Sequence, residues 1–479
     1  MVSTRTPGRP RTRGRLTGRS STKAHPALAV HIPSPSRRPV PRRRATTASG
    51  PATAEPLPPA ARLAAMRRVQ LLGCAVAAAW AAAFPLVSDL PNQRLWGAVA
   101  APAYVLAGLL CLTLPRRFAA RAAAAVAVLG AVLLPLALLA LNGRHQSEVM
   151  VVERSARLLL GTGSPYLPDP AVVTDYNPYL PAMTVFGLPR TVLGSSNPVT
   201  LVLGDARIWF ALTFLGCLLA CWRLLRPAGG GAGVLPLAVL TASPLIALAL
   251  VVGGVDLPLI GVCCLAMALA ERDRTVATGL VLALACSLKW TAWPALPVAV
   301  LLIWRLYGRG PALRAGLTGV GAALAVILPV ALTRADVLRD QVVRFPLGLT
   351  AVHTPAGSPL PGKILAGFGP TGHTVSLVLL TVGGAAVAIW LLARPPLSAI
   401  GAADLLASGL AIAFTLAPAG RFGYLALPAV LVIWPRLAAR RWRSAIPSAE
   451  QCLLQQPQPQ PQPQPRAEPA RVPEARMSA

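Results

Sequence analysis

Apolar residues run in long stretches through most of this chain, separated by short basic segments. A membrane-spanning helix needs about 20 mostly apolar residues, and many such stretches are present. About twelve are read as spans: 70–88, 96–114, 121–141, 207–225, 233–252, 255–270, 275–288, 291–306, 313–333, 374–393, 398–416 and 421–436. The expected fold class is therefore an all-α, polytopic transmembrane protein. A further apolar patch, 179–193, is interrupted by Pro181 and Pro189 and is too short to span. It reads as a re-entrant or interfacial piece in an outside loop.

Composition strengthens this reading. Of 479 residues, 54% are hydrophobic and 13% are charged, with a mean hydropathy of +0.59. A soluble domain of this length carries about twice that share of charge. The net charge of +29 would suggest a nucleic-acid partner, but its placement does not. It sits in the tails and in short loops between apolar runs, where it reports orientation. With the N-terminal tail inside, the inside loops carry Arg116/Arg117/Arg121, Arg223/Arg226, Arg272/Arg274, Arg305/Arg309/Arg314 and Arg394, and the C-terminal segment begins with Arg436, Arg440, Arg441 and Arg443. A multi-pass cell-membrane protein with both termini cytoplasmic is expected, in contact with membrane lipids and not with nucleic acid.

Residues 1–65 are rich in Arg, Pro, Ser and Thr, with too few apolar residues for a core, and lack the compact apolar region of a signal peptide. They are expected to be disordered. Met66, followed by Arg67 and Arg68, resembles the start of many membrane proteins, so the first 65 residues read as a mis-assigned start. Residues 437–479, with their Gln-Pro repeat, are expected to form a disordered polyproline-type spacer. The body is then 66–436. Of the eight cysteines, all but Cys452 lie in apolar segments and read as small apolar side chains.

Two long segments fall outside, 142–206 and 334–362. They hold Glu148, Glu153, Asp169, Asp175, Asp205, Asp336 and Asp340, while Asp89 and Asp256 lie at outside edges. In the first segment Val149, Val152, Ala156, Leu159 and Leu160 recur at helical spacing, which predicts an amphipathic interfacial helix ended by Gly161 and Gly163. Tyr166, Tyr176 and Tyr179 follow among prolines. Such residues anchor at the headgroup level or line a sugar or lipid-phosphate pocket. Glu148 stands at the positive end of the helix. Its carboxylate is placed either to take a proton from an attacking hydroxyl or merely to complement the helix dipole. Asp175, beside Tyr176, is the reserve base.

Lys289 interrupts a continuous apolar stretch, where a charge is costly and usually functional, though snorkelling accounts for it too. Arg421 begins the last run, and Arg144, His145, Arg207, Arg344, His353 and Lys363 are further outside cations. Thr350, Thr354, Ser358 and His353 of the second segment are placed to hold an acceptor, unless that segment is a connector. No Asp-x-Asp signature occurs in the outside loops, and no phosphate-binding P-loop occurs anywhere. No metal or cofactor is expected.

The order of an acidic residue, an amphipathic run and then Gly161-Thr162-Gly163-Ser164-Pro165-Tyr166 resembles glycosyltransferase family 87. The stretch from Asp175 to Pro189 resembles the family's Tyr- and Pro-rich segment before the next span, Ser287-Leu288-Lys289-Trp290 and Gly420-Arg421-Phe422-Gly423-Tyr424 resemble actinobacterial members, and the likeness runs loosely over 140–436. It implies a GT-C-type membrane enzyme that transfers a hexose, mannose in that family, from a polyprenyl-phosphate donor to a lipid or glycan acceptor with inversion. Glu148 takes the place of the family's catalytic Asp. Lys289, Arg421, Arg207, His145, Tyr166, Tyr176, Tyr179 and His353 are the implied substrate- and phosphate-binding groups. The chain departs in having Glu for Asp and two additional early spans. A secondary transporter or polyprenol flippase is the alternative with a similar number of spans, but it calls for ionisable groups deep in its helices.

Overall fold

The computed structural model describes residues 59–226 and 233–443. The remainder of both predicted tails lies outside the described residues. Helix α1 (Pro59–Val87) begins seven residues earlier than Met66, and the last helix continues to Arg443. Proline suits the first position of a helix, and the Ala, Leu and Arg that follow Pro59 and precede Arg443 favour helix.

Each predicted apolar run forms helix. After α1 come α2 (Pro91–Thr113), α3 (Arg116–Leu141), α4 (Ser147–Thr162) and α5 (Ala206–Leu225). The bent pair α6 (Val234–Thr241) and α7 (Pro244–Val252) follows, then α8 (Leu257–Glu271), α9 (Thr275–Leu288) and α10 (Ala295–Tyr307). The chain ends with α11 (Arg309–Thr333), α12 (Pro370–Ala393), α13 (Ala399–Leu416) and α14 (Ala426–Arg443). No named strand occurs among the described residues.

The expected twelve spans are not all long enough. Among the described residues eight helices are long and apolar enough to cross a membrane, or nine if the bent pair counts as one span. The bend, 69°, falls before Pro244, whose ring disfavours helix at the preceding residue. Tyr104 of α2 donates its hydroxyl to the Ala242 carbonyl at the break (2.6 Å). Helix α8 has 15 residues, about 22 Å at 1.5 Å per residue, against about 30 Å of hydrocarbon. It is buried nearly all round, packed by α5, α9, α10, α13 and α14. Its apolar character therefore belongs to a protein core as much as to a lipid-facing span. Helix α9 crosses α11 closely at Gly279, where a Cβ would come within 2.7 Å of the Ala315 carbonyl oxygen. Small residues permit such backbone approach between apolar helices.

Helix α4 forms where the periodicity predicts, ending at Gly163 with φ +74°. It is not laid on a lipid surface by one face, however. Val149, Val151, Val152, Glu153, Ser155 and Ala156 are all buried, whereas Leu160, expected on the apolar face, is 63% exposed. The patch 179–193 is a 3-10 turn (Pro181–Gly187) and a short helix (Leu188–Leu193), most of the turn being buried.

The helices share two ends. At one, Glu271 accepts from the Ala399 N–H, and the Tyr307 hydroxyl donates to the Glu271 carbonyl. At the other, segments 142–206 and 334–362 pack together. Tyr176 stacks on Phe345 (4.3 Å between centroids, 12° between planes). The buried Gln341 accepts from the Asn177 N–H (2.9 Å) and donates to the Leu167 carbonyl (2.5 Å). Segments that touch must face the same side of a membrane. Cysteines placed at Val172 and His353 in a cysteine-free background are expected to react together with an impermeant maleimide added on one side, while one at Leu397 reacts only from the opposite side. Labelling of Val172 and His353 from opposite sides would contradict the packing.

Candidate functional site

Four charged side chains from four separate connections meet at the end where the two long segments pack. Glu148 comes from the first turn of α4. Gln146, just before that helix, donates its N–H to the Val252 carbonyl (2.8 Å), which fastens α4 to the end of α7. With Val149 and Val152 turned into the core, Glu148 is left facing Arg421 and forms an ion pair with it. Gly253 permits this approach: a Cβ there would stand 3.3 Å from Gln146 Oε1 and 3.8 Å from Glu148 Oε2.

Arg421 lies between α13 and the 3-10 turn Phe422–Leu425. Segment 356–358 holds its backbone on both sides. Gly420 donates to the Ala356 carbonyl and accepts from the Ser358 N–H, each at 3.0 Å. Phe422 N–H donates to Ser358 Oγ (3.2 Å). Ser358, expected to hold an acceptor, thus serves as a clamp on the Arg421 turn.

Asp256 immediately precedes α8 and Lys289 immediately follows α9. The two helices form an antiparallel hairpin through Arg272–Arg274, so the end of α9 returns to the start of α8. Lys289 Nζ lies 2.7 Å from Asp256 Oδ1. An acid at a helix N-terminus and a base at a C-terminus each suit the helix dipole. Leu180 N–H donates to the Leu288 carbonyl (3.0 Å) and docks the first long segment beside this pair. The Tyr179 ring then stands 5.8 Å from Lys289 Nζ, and the Tyr424 ring 4.8 Å from it. Both separations fall within reach of a cation–π attraction.

The protonation states follow. Burial pulls the Lys289 ammonium down, but Asp256, with Tyr424, outweighs it and leaves the pKa above the ordinary lysine value. Burial likewise lowers Arg421, and Glu148 more than reverses the effect. Burial, reinforced by Glu148 and Asp256, pushes the Tyr179 hydroxyl well above its usual range. The cluster thus sets two firmly held cations against Glu148 and Asp256, with the Tyr179 phenol neutral beside them.

Of the residues picked from sequence, Glu148, Lys289, Arg421 and Tyr179 converge here. His145 is half-buried beside Gln146, with Nδ1 3.1 Å from the Gln146 carbonyl oxygen. Tyr166 is buried and donates its hydroxyl to the Tyr179 carbonyl (2.8 Å), so it positions the site and does not line it. Tyr176 is buried under Phe345. His353 is exposed in the second segment. Asp175 is engaged elsewhere, accepting from Ala171 N–H and Val172 N–H (3.1 Å each) and pairing with Arg154 (3.5 Å). The Val172 N–H holds its carboxyl below the usual range against the effect of burial, aided by Ala171 and Arg154. That makes Asp175 a weaker base.

Arg207 corrects the sequence reading. It is fully buried, paired with Asp205 through Nε and Nη2 (2.9 and 2.6 Å), and it donates Nη1 to the Val251 carbonyl (2.5 Å). Its donors are spent on a neighbour two residues away and on the open end of α7, so no phosphate reaches it. Two members of the cluster escaped the sequence reading as site residues, Asp256 and Tyr424. The available signal was that an acid opens one short apolar run and a base closes the next.

Removing one partner of a buried pair leaves an uncompensated charge, which costs about 3–5 kcal/mol. Arg207→Met is expected to lower the melting temperature of the detergent-solubilised protein strongly, and Asp205→Asn/Arg207→Met to recover part of the loss. An unchanged melting temperature in Arg207→Met would show that the pair carries no such burden.

No family model, curated protein or solved structure matches this chain.

Proposed function

We propose that this protein is a glycosyltransferase of the family 87 kind, transferring a hexose from a polyprenyl-phosphate donor to a lipid or glycan hydroxyl at the outer membrane face. One observation carries the reading: two partly buried cations, each beside a carboxylate, gather at one end of an apolar helical bundle. That is where the head of a membrane-anchored phosphate lipid would lie. The alternation of basic loops makes this end the outer one, with twelve crossings in total. In that count α8, α9 and α10 cross inside the protein, where their length need not match the lipid.

Arg421 and Lys289 bind the donor phosphodiester, charge-assisted bonds being the strong ones. Phosphate drawn to Arg421 frees Glu148 from its ion pair. Glu148 then takes the proton of the acceptor hydroxyl as the acceptor oxygen bonds to the sugar's anomeric carbon. The bond from that carbon to the phosphate oxygen breaks on the opposite face, and its electron pair leaves with the polyprenyl phosphate. The donor monoanion becomes a phosphate dianion and Glu148 becomes neutral, so charge is conserved. The cations meet the charge that develops on the leaving group. Tyr424, half-buried and facing Lys289, supplies a ring for a sugar to rest on, with the buried Tyr179 behind it.

A secondary transporter or polyprenol flippase draws on the broken α6–α7 pair, since broken spans mark substrate sites in transporters. Here the open carbonyl at the break is sealed by Tyr104, which favours the enzyme.

The test is turnover of labelled polyprenyl-phosphate mannose by purified protein in proteoliposomes. Glu148→Gln is expected to lose about 10²–10⁴-fold in rate, while Asp175→Asn, checked for equal membrane levels, stays near the parent rate. Unimpaired transfer by Glu148→Gln would remove Glu148 as the base. Absence of any transfer by the parent, together with movement of the lipid across the bilayer, would replace the enzyme with a flippase.

A further inference from the structure

Both cations of the cluster are paired with acidic side chains, and this bears on how a phosphate leaves it. Each cation already has a fixed counter-ion. Lys289 Nζ is 2.7 Å from Asp256 Oδ1, with the two side chains 13% and 25% exposed. Arg421 is paired with Glu148 in the same partly shielded setting. An anion that enters therefore has to exchange with a carboxylate; it does not occupy an empty positive pocket. Partial burial sharpens this competition, because charges away from water feel one another more strongly.

We propose that Asp256 is a resident counter-ion that competes with phosphate for Lys289 and so drives release of a polyprenyl phosphate product. This rests on the cluster being a phosphate-lipid site, as proposed above. The ligand class is a phosphomonoester, whose two negative charges would hold tightly to two unopposed cations. Asp256 stays beside Lys289 throughout, ready to reclaim it. Glu148 works in the same direction at Arg421 once it has given up the proton it took. No bond is made or broken in this step; one carboxylate–ammonium contact replaces one phosphate–ammonium contact. Geometry supports the division of labour. Asp256 is fixed at the head of α8 by the α7 turn, whose Val251 and Val252 carbonyls are held by Arg207 and Gln146. Asp256 meets Lys289, whereas Glu148 meets Arg421.

The experiment measures binding of a fluorescent polyprenyl monophosphate to purified full-length protein in nanodiscs, with the parent polyprenol and inorganic phosphate as further probes. Asp256→Asn is expected to bind the monophosphate at least tenfold more tightly than the parent protein, and Asp256→Glu to return to the parent value. The polyprenol is expected to bind all three alike. In turnover, Asp256→Asn is expected to lower kcat and KM for the donor together, the signature of slow product release; a merely structural lesion does not tighten binding. Displacement by inorganic phosphate would assign the exchange to the phosphate group itself. Displacement only by lipid phosphates would assign it to the anchored headgroup. Both support the exchange. Should Asp256→Asn accumulate poorly, Glu148→Gln provides the same binding readout at the other pair, with tightening expected. Equal or weaker binding in these variants would overturn the counter-ion role while leaving the phosphate site standing. Failure of the monophosphate to bind the parent protein and every variant would overturn the site as well.

Discussion

A polar group inside an apolar helical body has no water to turn to, so each one has to find a partner within the protein. Most of the arrangement at the charged end follows from that constraint. Helix α7 stops at Val252, which leaves its last carbonyls open. Gln146 takes one and Arg207 another. Arg207 is a charge that could not stay buried alone, and Asp205 accompanies it. These contacts fix the turn 253–256, and Asp256 with it. The same turn seats the start of α4, and so places Glu148. Lys289 and Arg421 then complete the charge balance from α9 and from the turn after α13. The cluster is thus a consequence of how helix ends are satisfied, more than of any single motif.

The positions of the helices were legible because long apolar runs leave little else for the chain to do. Their relation to the bilayer was less so. Hydropathy does not distinguish a segment surrounded by lipid from one surrounded by other helices, and α8 is the second kind. Charges at the edges of apolar runs singled out Glu148, Lys289 and Arg421, which the fold brings to one end. The same reasoning picked Arg207, and there it failed for a local reason. Asp205 stands two residues ahead at the head of the same helix and absorbs the guanidinium. Glu153 shows the reverse case. The helical spacing puts it at the edge of the apolar stripe of α4, and it is buried there because Arg190 (3.2 Å) and the Ala206 N–H (3.2 Å) come to meet it from elements the helix pattern does not contain. Asp256 depends on a partner 33 residues away, and only the α8–α9 hairpin brings the two together.

The second long segment, 334–362, has a plainer part than its Pro- and Gly-rich sequence suggests. Its hydroxyls face inward to the chain. Ser358 receives the Phe422 N–H, and Ala356 with Ser358 brackets Gly420 through backbone bonds. Gln341 and Phe345 meanwhile lock the same segment to the first one. Arg421 is consequently tied to both segments at once: to 142–206 through Glu148, and to 334–362 through its own backbone. A displacement of either segment moves the guanidinium relative to Lys289, which is anchored separately at the end of α9. The spacing between the two cations is set by the packing of two surface segments against each other. Tyr176 and Phe345, far from chemistry in kind, are for that reason part of what makes the charged cluster a site.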